Sequence, residues 1–227
     1  MSAPLDRRPA RLSSFLSLGI AATVVSVLEP DSSMGVLAVV LGLVVARAGA
    51  HRFRSDGRLH GSAALSVGGG VGLAGIALAT SSTTDLAGLI EVGLGVAGIG
   101  CLGLATLPMR AVGSRLFLKA GSASVLFAVL AGALFGSVSG AVALAACAGV
   151  VAAWDAAENA VTVGEQLGDE ARTWTIEVTH LAGTGLVGAV SVGTGLVVKG
   201  VGVDGLSLHS LALVLVGVVA LTLALHD

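Results

Sequence analysis

Long apolar runs separated by short polar segments are the feature that most limits what this sequence can fold into. A helix rises about 1.5 Å per residue, so about 17–25 apolar residues are needed to cross about 30 Å of hydrocarbon. Eight runs have this length: Leu12–Leu28, Met34–Ala50, Gly61–Thr80, Leu86–Leu107, Ala120–Gly136, Val138–Trp154, Leu181–Val198 and Leu206–Leu225. They are continuously apolar, whereas strands of a membrane barrel alternate apolar and polar side chains. The sequence therefore predicts an all-α, polytopic transmembrane helix bundle of about eight spans, arranged as four hairpins.

The composition agrees with a membrane protein and excludes other classes. Hydrophobic residues make up 55% of the 227 residues and charged residues only 11%. This composition has too few polar residues to cover the surface of a soluble protein. The net charge of −2 supplies no basic face to neutralise phosphates, so no nucleic-acid partner is expected. Residues 1–227 are predicted to form a single integral membrane domain whose main contact is the lipid bilayer.

The basic residues predict how the chain is oriented in the cell membrane. Cytoplasmic loops of membrane proteins are enriched in Lys and Arg. With eight spans, all but one of the 12 basic residues lie on one side, and Lys199 lies on the other. This asymmetry predicts that the N- and C-termini are both cytoplasmic and that the external loops are short.

The most polar segment, residues 155–180, follows the sixth predicted span. Small or apolar residues recur every three or four positions beside an acidic face, which is typical of an amphipathic helix. We expect a cytoplasmic acidic helix or loop here, between spans six and seven. Its candidate docking residues are Trp154, Asp155, Glu158, Asn159, Glu165, Gln166, Asp169, Trp174, Glu177 and His180. The two tryptophans favour docking of a soluble cytoplasmic protein, because Trp is enriched among the residues that dominate binding energy.

Two other interpretations of this acidic segment stay open. Charge stripes on helices are ordinarily solvated or paired, so the acids can simply lie over the basic inner loops. Glu177 and His180 have the i, i+3 spacing of di-iron carboxylate bundles, but such bundles need a second pair and the sequence has none. No metal site and no cofactor are predicted.

Glu91 is the one acidic residue inside a predicted span. An ionisable side chain in a span is costly, so it usually faces the bundle interior, pairs with another group or marks an ion route. Glu91 can accept hydrogen bonds from Ser and Thr hydroxyls, or it can be the proton or cation site of a transporter. No second acidic residue lies deep in another span to complete a relay.

The 34 glycines favour close helix packing over nucleotide binding. The pattern G-x-G-x-x-G recurs within apolar runs, whereas a dinucleotide site requires it between a strand and a helix. Small residues let membrane helices approach closely. The pairs Gly68–Gly72 and Gly132–Gly136 have the required spacing and predict helix-packing seams. Whether a seam lies within one chain or joins two chains of an oligomer is open.

One segment contains WDAAENA at residues 154–160, GEQLG at residues 164–168, Glu177 and His180. This segment resembles a family of multi-pass haloarchaeal membrane proteins with no assigned activity. The resemblance implies a membrane component of an assembly module that contains a MoxR-type ATPase and von Willebrand factor A proteins. It carries over no catalytic residue.

The motifs of common enzymes are not found in the sequence. H-E-x-x-H, G-x-S-x-G and the Walker pattern do not occur, so no enzyme activity is predicted. We expect a non-enzymatic scaffold or docking subunit for a cytoplasmic partner. The alternative is a small secondary transporter or ion-conducting protein that uses Glu91. An enzyme would need an unrecognised site formed by Glu158, Glu165, Glu177 and His180.

Overall fold

The computed structural model of the chain describes residues 9–55, 58–107, 111–167 and 173–200. Within these ranges the chain forms seven α-helices, one short 3-10 turn and no β-strand. The helices are α1 (Arg11–Leu28), α2 (Ser33–Ser55), α3 (Arg58–Ser81), α4 (Leu86–Ala105), α5 (Ala111–Phe135), α6 (Gly140–Leu167) and α7 (Trp174–Gly200), and the 3-10 turn is Pro30–Ser32. The predicted all-α class is confirmed for this part of the chain.

All seven helices are long and apolar enough to cross a membrane. This finding confirms the prediction of a multi-pass helical membrane protein. The predicted eighth span, Leu206–Leu225, lies outside the described residues. The total number of spans and the cytoplasmic position of both termini remain predictions from the charge pattern.

Three helices, α5, α6 and α7, extend furthest beyond the apolar runs that predicted them. Helix α5 begins at Ala111 instead of Ala120, α6 continues from Trp154 to Leu167, and α7 begins at Trp174 instead of Leu181. The added turns contain Lys, Arg, Glu and Gln, which have good helix propensity although they are polar. The acidic segment 155–180 is therefore divided between the end of α6 and the start of α7.

The main core lies between α1, α4, α5 and α6, with smaller contributions from α2 and α3. Its largest fully buried apolar side chains are Ile99, Leu102, Leu118 and Val25. The backbone N–H of Ala10 donates to the carbonyl of Ala160 at 2.8 Å, so α1 begins beside the last third of α6. We call this end of the bundle, where α1 and α7 begin and where α4 and α6 end, the polar end.

Helices α2 and α3 approach each other closely at glycines. A Cβ atom placed on Gly68 would lie less than 3 Å from the backbone of Ala46 and Gly42, and one on Gly42 would lie equally close to Gly68 and Gly72. A Cβ atom on Gly72 itself would meet nothing within 4 Å. In lipid, where burial of apolar surface does not drive helices together, such backbone contact supplies the dispersion energy that holds the pair.

Gly68 and its neighbour Gly69 provide a matched test of this contact. Alanine at Gly69, where a Cβ atom meets nothing within 4 Å, should raise stability by up to about 1 kcal/mol because Ala is the better helix former. Alanine at Gly68 should instead lower stability by about 1–3 kcal/mol, because its methyl group overpacks the contact with α2. The measurement is unfolding of each purified variant in detergent, followed by circular dichroism. Equal stabilisation by both substitutions would contradict the close contact.

Candidate functional site

The C-terminal part of α6 extends past the start of α1. Helix α6 has 28 residues, a length of about 42 Å at 1.5 Å per residue. The Ala10 N–H bonds to the Ala160 carbonyl. The turns of α6 that follow Ala160, as far as Leu167, therefore extend beyond the start of α1. These turns carry Glu165 and Gln166, so α6 presents polar side chains beyond its contact with α1.

A buried carboxylate joins α7 to the start of α1. The Glu177 Oε2 atom accepts hydrogen bonds from the Ser13 backbone N–H at 2.7 Å and from the Ser13 hydroxyl at 2.8 Å. The Thr173 hydroxyl donates to Glu177 Oε1 at 2.6 Å. Glu177 is only 2% exposed. Since Ser13 lies in the first turn of α1, the carboxylate satisfies an otherwise unpaired N–H group and lies at the positive end of the helix dipole.

The same serine also joins α1 to α6. The Asn159 side-chain amide donates to the Ser13 hydroxyl oxygen at 3.1 Å, and one turn further along α1 the Ser17 hydroxyl donates to the Ala153 carbonyl at 2.7 Å. Ser13 is fully buried. Three helices, α1, α6 and α7, therefore meet in one hydrogen-bonded group formed by Ser13, Asn159, Thr173 and Glu177, which we call the Glu177 network.

Two other acids of α6 face α5. The Arg115 Nη2 atom lies 3.2 Å from Glu165 Oε2 and 3.9 Å from Glu158 Oε1. All three side chains are partly exposed, and pairs of this kind contribute at most about 1 kcal/mol to stability. These charges therefore contribute more to the surface of the polar end than to its stability.

Arg47 of α2 closes the other side of the polar end. Its guanidinium donates to the Thr106 carbonyl at 2.9 Å and to the Pro9 carbonyl at 3.2 Å. It also lies 5.8 Å from the centre of the Phe15 ring, within the range of a cation–π interaction. Because Thr106 follows the last residue of α4, a cation here is favoured by the negative end of that helix dipole.

Asp155 of α6 joins two residues of α7. Its Oδ2 atom lies 2.8 Å from His180 Nε2 and accepts a hydrogen bond from the Thr184 hydroxyl at 2.5 Å. The side chains of His180 and Asp155 are 40% and 32% exposed. This group, which we call the Asp155 cluster, is more open than the Glu177 network.

Glu91 lies near the opposite end of the bundle and is 1% exposed. Its carboxylate accepts a hydrogen bond from the Ser137 hydroxyl at 2.9 Å. A Cβ atom on Gly132 would lie 3.1 Å from the carboxylate, so this glycine makes room for Glu91. Gly132 of α5 thus closely approaches the Glu91 side chain of α4 rather than the backbone of a neighbouring helix.

Gly136 places Ser137 beside Glu91. Gly136 has a φ of 77°, which a side chain would strain, and it follows the last residue of α5. The Ser137 N–H then donates to the Gly132 carbonyl at 3.0 Å, the bond of a Schellman helix end. A Cβ atom on Gly136 would meet nothing within 4 Å. Gly136 therefore ends a helix and does not bring two helices together.

Residues 74–222 match the family of unknown function DUF7519. The chain belongs to this family. The match covers about two thirds of the chain and agrees with the resemblance of the sequence to membrane proteins without assigned activity. No curated protein and no solved structure matches the chain. The DUF7519 region contains Glu91, the Asp155 cluster and three residues of the Glu177 network, but it does not include Ser13 or Arg47.

The structure divides the ten predicted docking residues of this DUF7519 protein into two groups. Asp155, Glu177, Asn159 and His180 contact other helices and hold the polar end together. Trp154, Gln166 and Trp174 are exposed, and Glu158 and Glu165 are partly exposed beside Arg115. Asp169 lies outside the described residues. Among the described residues, no three His, Cys, Asp or Glu side chains come close enough to hold a metal ion.

Four residues of the polar end were not singled out from the sequence: Ser13, Thr173, Arg115 and Arg47. Arg115 and Arg47 belong to the basic residues whose distribution predicts the orientation of the chain. Ser13, Ser14 and Ser17 form a short polar patch within the first span, and such residues often make interhelical hydrogen bonds in membranes. This patch indicates that α1 makes interhelical hydrogen bonds, but it does not identify Glu177 as the hydrogen-bond partner.

Proposed function

We propose that this protein is a non-enzymatic membrane scaffold that docks a soluble cytoplasmic protein at its polar end. The observation that carries the proposal is the extension of α6 beyond the start of α1, with the exposed Gln166 and the partly exposed Glu165 on its last turns. The exposed Trp174 begins the next helix. The charge asymmetry of the loops supports a cytoplasmic position for this end.

The exposed side chains suit a protein partner. Trp174 is 65% exposed, and Trp and Arg are the residues that most often dominate binding energy at interfaces. Arg115 lies beside Glu158 and Glu165 at the surface of the polar end, so a partner surface with basic and acidic groups can pair with them. The sequence resemblance adds a MoxR-type ATPase or a von Willebrand factor A protein as the first candidates.

The proposal is tested by recovering the partner from native membranes and then measuring its binding with purified components. The docking variant carries Glu165→Ala, Gln166→Ala and Trp174→Ala. The partner identified by mass spectrometry should bind this variant at least about tenfold more weakly, because an anchor residue contributes more than about 1.4 kcal/mol.

A matched control carries Asp31→Ala and Leu86→Ala, two exposed positions at the opposite end of the bundle. This control should bind the partner as the unchanged protein does. Equal binding by the docking variant, or a folded protein that recovers no stoichiometric partner, would contradict the docking function.

Transport through Glu91 is the second candidate function. Glu91 and Glu177 are the two buried acidic side chains among the described residues. Glu177 accepts three hydrogen bonds, two of which join α7 to α1, whereas Glu91 accepts hydrogen bonds from one side chain, that of Ser137, in the described part of the chain. A buried carboxylate with so little structural pairing is a candidate ion site.

This second function is tested with purified protein in liposomes that contain a pH-sensitive dye. A proton-coupled transporter should lose proton flux when Glu91 is replaced by Gln, because the amide cannot exchange a proton. Glu165→Gln, which changes a partly exposed acid, should keep the flux. Absence of flux in the unchanged protein, or equal flux in Glu91→Gln, would contradict transport through Glu91.

A further inference from the structure

A groove between α6 and α7 ends at the Asp155 cluster. The groove has a volume of about 580 Å³. Apart from the three cluster residues, its lining is uncharged and mostly small or apolar, and it includes Val151, Trp154, Gly183 and Val187. It lies within two helices that are apolar enough to cross a membrane. A molecule that enters it must therefore be soluble in the lipid phase.

The residues of the Asp155 cluster line the groove and retain unused hydrogen-bonding capacity. His180 uses its Nε2 atom on Asp155, and Thr184 also bonds to the same carboxylate oxygen, Oδ2. Asp155 thereby fixes the orientation of the His180 ring, as carboxylates do for histidines at binding sites. The second ring nitrogen and the second carboxylate oxygen are then the groups that can bond to a ligand.

A second groove provides a comparison within the same molecule. It lies between α1 and α6 and has a volume of about 550 Å³. Its lining includes Phe15, Leu16, Ile20 and Val142, and no charged residue contributes to it. Two grooves of nearly equal size thus lie on either side of α6, and one of them ends in an acid–histidine pair. A groove of this size can therefore form on α6 without an acid–histidine pair in its lining.

We propose that the groove between α6 and α7 binds a lipid alcohol, a neutral amphipath with a hydroxyl headgroup on a long apolar tail. A hydroxyl group both donates and accepts hydrogen bonds, which matches a carboxylate oxygen beside a ring nitrogen. The tail would lie along the apolar lining. The lining includes the acid Asp155 and no Lys or Arg, so a phosphate headgroup would lack a counter-charge. This proposal does not depend on the docking function.

Photolabelling tests the proposal in lipid nanodiscs. The probe is hexadecanol that carries a diazirine on its chain, and labelled peptides are located by mass spectrometry. Labelling of α6 and α7 at the groove should exceed labelling of the groove between α1 and α6. Unlabelled hexadecanol should compete, whereas hexadecyl phosphate should compete about tenfold less well, because its charge would enter the groove beside Asp155 without a counter-charge.

Two substitutions connect the labelling to the cluster. Thr184→Val keeps the shape of the side chain, and His180→Gln keeps a hydrogen-bonding group without the ring. Each should reduce labelling at this groove severalfold and leave the α1–α6 groove unchanged. Thr23→Val, in the α1–α6 groove, is the matched control and should change neither. Unfolding in detergent shows which variants keep the native fold, and Thr184→Val is the variant least expected to lose it.

Several results would overturn the lipid-alcohol site. Equal labelling of the two grooves would mean that the probe reports ordinary contact with lipid. Equal competition by hexadecyl phosphate would contradict the preference for an uncharged hydroxyl headgroup over an anionic one. Absence of labelling at the groove, as expected if another segment or a second copy of the chain fills it, would also contradict the proposal. Unchanged labelling in folded Thr184→Val and His180→Gln would show that the cluster does not bind the headgroup.

Discussion

The buried carboxylate of Glu177 is the contact on which the polar end of the bundle depends. Glu177 is the one buried side chain among those of α7 whose burial the structure describes. Its carboxylate accepts hydrogen bonds from the backbone and side chain of Ser13 and from Thr173. In a bilayer, apolar burial does not drive helices together, so close packing and polar contacts between helices carry a larger share of their association. Removal of Glu177 would leave Ser13 with unpaired donors in a buried position.

The Glu177 network also separates the structural acids from the exposed ones. Glu177 and Asp155 hold α7 against its neighbours, whereas Glu158 and Glu165 form partly exposed pairs with Arg115. Of these two acids, Glu165 lies on the part of α6 that extends beyond the start of α1. A rigid base and an exposed polar surface are therefore supplied by the same short stretch of sequence. This arrangement is what a docking scaffold requires, because an anchored surface loses little conformational entropy when it binds a partner.

Much of the helical fold could be predicted because length and continuous apolarity together specify a membrane helix. The apolar runs alone do not give the ends of α6 and α7, since they stop at Trp154 and begin at Leu181. The periodicity of residues 155–180 predicts a helix in this segment, but it does not predict that the segment is divided between α6 and α7. The hydrogen bonds of the Glu177 network could also not be predicted from the sequence. Ser13 and Glu177 are 164 positions apart, and no spacing rule connects two residues on separate helices.

The glycine pairs show the same limit. Gly68–Gly72 and Gly132–Gly136 have identical spacing, but Gly68 contacts the backbone of α2, whereas Gly136 ends α5 with a positive φ. The spacing records only that small residues share a face of a helix. Whether that face meets another helix, or the helix stops there, depends on where the neighbouring chain lies.

A double-mutant cycle on Ser13 and Glu177 tests the central claim most directly. The free energy of unfolding in detergent would be measured for Ser13→Ala, Glu177→Ala and the double variant, with Arg115→Ala and Glu165→Ala as the exposed reference pair. If Glu177 joins α7 to α1, the combined loss should be smaller than the sum of the single losses by about 1 kcal/mol or more. The reference pair should show a coupling of less than about 1 kcal/mol. Additive effects of Ser13→Ala and Glu177→Ala would contradict the account, because the two residues would then not stabilise the protein through each other.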